Sequence, residues 1–209
     1  MVLDALRKLS AIKAVTVATY QSVTGSGSAG QQELIRQSGD VLGGSKADLD
    51  VYPHQIAFNI LPHVDDFLSD GYTKEEQKML NESRKILHDE SLAVSATCVR
   101  VPVEISHSES LQIEFESNVT VNDAKRVLSD YDGMLVVDDP SRNEYPMPLT
   151  AAGGDDVLVG RIRMDTAHEN GLALWLSCDN LRKGAALNAL QIMDEAVRRD
   201  VLNPRSQNE

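Results

Sequence analysis

Thr97-Cys98-Val99-Arg100-Val101-Pro102-Val103-Glu104-Ile105-Ser106-His107-Ser108-Glu109-Ser110 sets a single Arg inside an apolar, β-branched run that leads to a His. Val99, Val101 and Val103 alternate with Arg100 and Pro102, a period of two that predicts a strand. A charge on a half-buried strand needs a partner, and a guanidinium is shaped to grip a carboxylate or phosphate through two parallel hydrogen bonds. His107 follows seven residues after Arg100, beyond the expected strand end, and its side chain titrates near neutral pH. An anion clamp and an acid/base group on one strand–loop unit would make the edge of an active site. An Arg at a sheet edge with a solvated loop His is the plainer alternative, and residue physics alone slightly favours it.

Around this stretch lie 209 residues, enough for one sizeable domain or a large domain with an appendage, and the 42% hydrophobic content suffices for a core. A formal net charge of −12 speaks against nucleic acid and against an anionic membrane surface, both of which need clustered Lys and Arg. A small anionic substrate remains compatible, because a local cationic cluster can work inside an acidic protein. Cys98 and Cys178 are far apart, each in a strand-like run, which predicts buried free thiols and a reducing, cytoplasmic setting. Neither has metal-ligand spacing. No secretory leader or membrane-spanning run is visible.

In chain order, Leu3, Leu6, Leu9 and Ile12 predict a helix through Lys13, with no capping residue before it, as though the chain began partway into an element. Ala14 to Tyr20 predicts a strand. Gly25, Gly27 and Gly30 satisfy G-x-G-x-x-G, but the motif does not follow the strand directly and no acidic strand end follows at the right distance. A Ser/Gly loop is expected there, feeding a helix from Gln31 to Gln37. Tyr52 to Pro62 is expected as a short strand between prolines. His63-Val64-Asp65-Asp66 looks like half a metal site, but without a third ligand a turn is expected and no metal. Thr73-Lys74-Glu75-Glu76 is a capping box that opens a helix through Leu87, with Met79, Leu80, Ser83, Ile86 and Leu87 inward and Glu75, Lys78 and Glu82 on one flank. Strands are expected at Leu111 to Phe115, Gly133 to Val137, Val157 to Met164 and Leu172 to Ser177. Helices are expected at Val119 to Tyr131 and from Asp179 through Arg198. Strands often adjacent in sequence, with helices interspersed, predict an α+β fold with a mixed, largely antiparallel sheet and helices on one face. The domain is expected over residues 1–200, with a disordered tail at 201–209.

Six runs together resemble a known family. Thr19-Tyr20-Gln21-Ser22-Val23-Thr24-Gly25, Pro53 to Pro62, Glu75-Glu76-Gln77-Lys78-Met79, Arg100-Val101-Pro102-Val103 with His107, Val159-Gly160-Arg161-Ile162-Arg163, and Asp179 to Gln191 are similar to aspartate-semialdehyde dehydrogenases, in that family's order and approximate spacing. The likeness is to the C-terminal, substrate-binding and dimerisation half. It implies a fold like the C-terminal domain of glyceraldehyde-3-phosphate dehydrogenase.

The resemblance implies NADPH-dependent reductive dephosphorylation of 4-phospho-L-aspartate to L-aspartate 4-semialdehyde, through a Cys thiolate. By motif match His107 is the acid/base residue and Gln21 orients the substrate. Arg100 grips its carboxylate, Glu75 (or its neighbour Glu76) meets its amino group, and Lys78 meets the departing phosphate. Thr24, Gly25 and Asn180 touch NADP, with NADP preferred over NAD by the family alone. In this likeness the nucleophilic Cys and the dinucleotide-binding domain precede the stretch seen here, and Cys98 and Cys178 match structural positions. The chain alone is therefore expected to be inactive, and to form a homodimer or dock with an N-terminal half. The alternatives are a non-catalytic dimerisation module and a related acyl-phosphate reductase, such as one acting on N-acetyl-glutamyl phosphate.

Overall fold

From Val15 to Gln21 buried and accessible residues alternate, which sets Val15, Val17, Thr19 and Gln21 on one face of a sheet. A computed structural model of the chain describes residues 1–201 and turns that face into the core. The elements in chain order are α1 Val2–Leu6, β1 Ile12–Gln21, α2 Gly27–Leu42, α3 Lys74–Leu87, β2 Ala93–Arg100, β3 His107–Phe115, α4 Val121–Ser129, β4 Met134–Val136, α5 Pro148–Ala151, β5 Val157–Met164, β6 Gly171–Cys178 and α6 Leu187–Arg198. Six strands make one sheet in the order β2-β1-β3-β6-β5-β4. The pairs β1–β2 and β4–β5 are parallel, and β1–β3, β3–β6 and β5–β6 are antiparallel. This is the α+β, mixed and largely antiparallel sheet expected from the sequence.

One sheet face is dry. Val15, Val17, Leu111, Ile113, Leu174 and Leu176 pack there against Ala5 and Leu6 of α1, Leu87 of α3 and Ala124 and Leu128 of α4. Thr120 caps α4 by accepting the Asp123 N–H at 3.1 Å. A second cluster of Val23, Leu34, Tyr52, Ile56, Ala57 and Leu61 ties α2 to the loop that follows it.

Several expectations are corrected. The first helix stops at Leu6 rather than Lys13, because Ile12 is drawn into the ladder opposite Phe115. The Ser/Gly run is not a loop: Val23–Ser26 is a 3₁₀ turn and α2 already begins at Gly27. Gly30 permits this, since a Cβ there would lie 2.6 Å from the Tyr52 hydroxyl and 2.7 Å from the Val23 carbonyl. Tyr52 to Pro62 is not a strand. Its prolines donate no backbone hydrogen bond, Phe58 turns to φ 60°, and only Leu61 pairs, with Arg100. Strand β2 ends at Arg100, and its inward residues are Ala96, Cys98 and Arg100, while Val99 faces the other way. His107 is the first residue of β3 rather than a loop residue. On α3 Ile86 is 69% exposed, and the buried positions are Glu76 and Leu87. Of the expected disordered tail, Val201 belongs to a turn and residues 202–209 lie outside the described residues.

The capping box of α3 is formed as expected. Thr73 Oγ1 accepts the Glu76 N–H at 3.3 Å, and Glu76 Oε2 accepts the Thr73 N–H at 2.8 Å. The other carboxylate oxygen of Glu76 accepts the Cys98 N–H of β2 at 2.9 Å. One buried carboxylate thus caps a helix and ties it to the sheet. Glu76→Ala leaves two buried N–H groups without their acceptor, and is expected to cost about 2–4 kcal/mol in urea unfolding. Thr73→Ser should cost well under half of that.

Candidate active site

Three strand ends and one helix start meet on the dry side of the sheet. Parallel pairing sets Gln21 at the end of β1 beside Arg100 at the end of β2. Antiparallel pairing with β3 brings His107 to the same end, opposite Cys178 of β6. Strand parity turns Gln21, Arg100 and His107 to the same face, because each is an even number of residues from an inward-facing neighbour on its own strand. The first two turns of α3 add Glu75 and Lys78, and the loop after β6 adds Asn180. Together with Thr24 and Gly25 these residues line one cavity of about 580 Å³. All eight residues singled out from the sequence are therefore brought together. A Cβ added to Gly25 would lie 2.7 Å from Arg100 Nη1 and 3.3 Å from His107 Nε2, so guanidinium and imidazole share this corner.

Arg100 is 7% exposed, and its Nη1 donates to the Ser22 carbonyl at 2.7 Å. It has no ion-pair partner among the described residues. Burial lowers its pKa, with Tyr52 and Glu75 opposing. A buried cation with donors to spare is a site for an anion. Glu75 accepts from Gln21 Nε2 at 3.2 Å and from Lys78 Nζ at 3.4 Å, so a carboxylate, an amide and an ammonium form one polar wall. Glu76 is turned away and committed to Thr73 and Cys98. Burial, reinforced by Arg100, pushes His107 down from 6.5 to about 4, with the Ser106 carbonyl, Glu75 and Asp179 pulling less strongly upward.

Two residues went unnoticed in the sequence. Ser22, fully buried, gives its carbonyl to Arg100 and its N–H to His107 Nδ1 at 3.0 Å. Ser106 adopts φ 81° immediately before His107, and its buried hydroxyl has no partner among the described residues. Backbone groups carry no side-chain signature, so nothing in the residue pattern could have flagged Ser22. Asn180 joins these pieces: its Oδ1 accepts from Ser106 N–H at 2.9 Å and from Ser22 Oγ at 3.1 Å, and its Nδ2 donates to Thr24 Oγ1 at 3.2 Å.

Neither thiol belongs to the cavity lining. Desolvation raises both Cys98 and Cys178 to about 11, far from thiolate character at neutral pH. No group of three or more metal-ligating side chains is found among the described residues. His63 stacks on Phe67 with centroids 4.4 Å apart, and Asp66 pairs with Lys74.

The model of the semialdehyde dehydrogenase dimerisation domain matches residues 3–183. The chain belongs to that family. It is 50% identical over 192 residues to an aspartate-semialdehyde dehydrogenase of Aquifex aeolicus, covering 91% of this chain and 56% of the relative. It is also 50% identical to one of Legionella pneumophila, covering 91% and 55%. The crystal structure of aspartate semialdehyde dehydrogenase II from Vibrio cholerae, complexed with ASA, superposes with a TM-score of 0.91 at 41% identity, over 94% of this chain and 58% of that one. The chain thus spans little more than half the length of the relatives it matches.

For a semialdehyde dehydrogenase dimerisation domain the state of His107 is a measurable property. Its folded pKa of about 4 lies below the ordinary 6.5, so the unfolded chain binds more protons between those values. Its contribution to stability is therefore complete above about pH 6.5 and is lost as the pH falls toward 4. Glu109, raised by desolvation from 4.5 to about 6, acts with the opposite sign, losing stability as the pH rises through that range. The difference between the unmodified chain and His107→Gln isolates the imidazole. In urea melts from pH 7 to pH 4 the variant should lose less stability, by on the order of 1–3 kcal/mol.

Proposed function

We propose that this chain is the substrate-binding and dimerisation part of an aspartate-semialdehyde dehydrogenase, which reduces 4-phospho-L-aspartate to L-aspartate 4-semialdehyde with release of phosphate. One observation carries the proposal: a buried guanidinium with no ion-pair partner among the described residues and an imidazole face the same cavity, beside a wall of Glu75, Gln21 and Lys78. The charges match the substrate group by group. Arg100 takes the α-carboxylate through its free N–H groups. Glu75 takes the ammonium, while Gln21 donates an amide hydrogen bond beside it. Lys78, whose side chain is 54% exposed, meets the phosphate at the mouth as a point charge. His107 faces the acyl carbon, where negative charge collects on oxygen when a nucleophile adds.

Both thiols of this chain lie outside the cavity lining, so the nucleophilic thiolate of the proposed reaction is brought by another stretch of polypeptide. NADP fits the same corner. Gly25, Gly184 and Ala185 leave part of the cavity wall without side-chain bulk, and a Cβ at Gly25 would collide with Arg100. Thr24 and Gly25 would hold the cofactor, with Asn180 fixing Thr24 from behind. When bound, its nicotinamide supplies the hydride.

Two surfaces support the proposed assembly. The sheet face opposite α1 and α4 carries Thr16, Thr97, Val99 and Tyr20, with Tyr20 36% exposed and its ring 5.0 Å from that of Trp175. This face would meet a second copy. Helix α6 has no buried residue among those described, and Leu190, Met193 and Val197 recur on it at helical spacing. That stripe would seat a nucleotide-binding portion. No helix among the described residues is long and apolar enough to cross a membrane, and a cytoplasmic location fits the proposed reaction.

The decisive assay joins this chain to the portion of the Aquifex relative that it does not match. NADPH oxidation with aspartyl phosphate is expected. Arg100→Lys should lower kcat/KM by about 10–100-fold, because an ammonium cannot replace a two-pronged grip. A silent fusion, beside an active Aquifex enzyme prepared in parallel, would reject the proposal. In sedimentation equilibrium the chain should be a dimer at micromolar concentration, and Tyr20→Asp should shift it toward monomer. A clean monomer from the unmodified chain would remove the sheet face from the assembly.

A further inference from the structure

The sheet face opposite α1 and α4 carries two arginines that simple alternation would bury. Val157 and Val159 of β5 point into the core, so an unbroken strand would send Arg161 and Arg163 there too, and Ile162 outward. The reverse is found: Ile162 is in the core and both arginines are exposed. The pairing with β6 shifts between Gly160 and Arg163, and Arg161 adopts φ 54°, a left-handed conformation that a long side chain rarely takes. A buried charge holds this bulge. The Asp138 carboxylate, its side chain 2% exposed, accepts the Arg161 N–H at 2.7 Å and the Ile162 N–H at 3.3 Å, and pairs with Lys125 at 2.7 Å. Strain of this kind persists where the side chains it re-aims have a use.

Arg161 and Arg163 line a cavity of about 360 Å³ with Tyr145, Pro146, Met147 and Trp175. Arg163 Nη1 donates to the Arg161 carbonyl at 2.7 Å, and neither guanidinium belongs to an ion pair among the described residues. Trp175 donates its Nε1–H to the Pro146 carbonyl at 3.1 Å, and its ring lies 5.0 Å from that of Tyr20. Cavity and Tyr20 face are therefore one continuous surface, and an occupant that covers both is a protein. Arg, Trp, Tyr and Met are the residues enriched at the centres of such contacts. Charge selects the protein. The chain has 32 acids against 20 bases, so a second copy offers mainly carboxylates, and two copies at −12 each repel unless cations lie between them. We propose that the bulged pair Arg161 and Arg163 anchors the contact between two copies of this chain, each copy's guanidinium groups donating to carboxylates of the other. The proposal rests on the reading that the Tyr20 face meets a second copy, and adds the charged groups that hold it there.

Sedimentation equilibrium of the chain and its variants provides the test. Arg161→Asn with Arg163→Gln removes both charges and leaves at position 161 a residue that tolerates a left-handed backbone. The Kd of the dimer should rise about tenfold or more. Arg161→Lys with Arg163→Lys keeps the charges, loses the forked donors and should fall between that variant and the unmodified chain. Arg126→Gln, on α4 across the sheet, should leave the Kd unchanged. A dimer of Arg161→Asn with Arg163→Gln as tight as the unmodified one, while Tyr20→Asp still dissociates, would overturn this proposal alone: the arginines would then serve a small anion. An equal loss in Arg126→Gln would also overturn it, because net charge would explain the change. A monomeric unmodified chain would reject the Tyr20 face, and this anchor with it. Should the double variant lose its fold by circular dichroism, Arg163→Gln, outside the left-handed position, decides in its place by the same rise in Kd or its absence.

Discussion

One peptide residue clamps the two groups on which the site depends. Ser22 stands just past the end of β1, gives its carbonyl to Arg100 at 2.7 Å and its N–H to His107 at 3.0 Å. Neither contact uses the serine side chain. Both need β1 to lie between β2 and β3, with Gln21 level with Arg100 and Tyr20 level with Ser108. A slip of one residue in either pairing would turn a whole strand over and send the guanidinium or the imidazole to the opposite face. The cavity is thus a consequence of register, and register is set by the dry face that Val15, Val17, Leu111 and Ile113 must share.

Two adjacent carboxylates divide the work at the start of α3. Glu76 is buried and spends both oxygens on backbone N–H groups, one in its own helix cap and one on β2. Glu75 keeps its carboxylate at the cavity wall with Gln21 and Lys78. The capping geometry decides which is which, because the residue that reaches back to Thr73 must turn inward and its neighbour is rotated by about 100°. The exposed Lys78–Glu75 pair contributes little to stability at 3.4 Å, so its charges stay available to a ligand.

An overall charge of −12 makes the isolated cationic corner more distinctive. Some surface acids pair with bases, such as Asp66 with Lys74 and Glu114 with Lys13. Arg100 stands apart because burial leaves it with a carbonyl partner and no carboxylate among the described residues. Holding a charge in that state costs free energy that the packing of the core must offset. A ligand carboxylate would relieve it, which links affinity to the same burial that disfavours a charged His107.

Local chemistry was legible in the residues themselves. Alternation predicted β1, β3, β5 and β6 to within a few residues, and the Thr73–Glu76 box marked the start of α3, because each signal involves neighbours in the chain. The motif runs pointed to the family and to eight of the residues that line the cavity, from Gln21 to Asn180. The sequence could not tell that Arg100 faces inward while Val99 faces out, since an alternating strand reads the same from either side until its partners are known. Nor could it tell that Tyr52 to Pro62 is held by side-chain packing instead of a ladder, or that the Ser/Gly run winds into α2 against Tyr52. The depressed pKa of His107 was the least accessible of all. It follows from burial and from a guanidinium on another strand, which meet the ring only once β2 and β3 have been brought to one place.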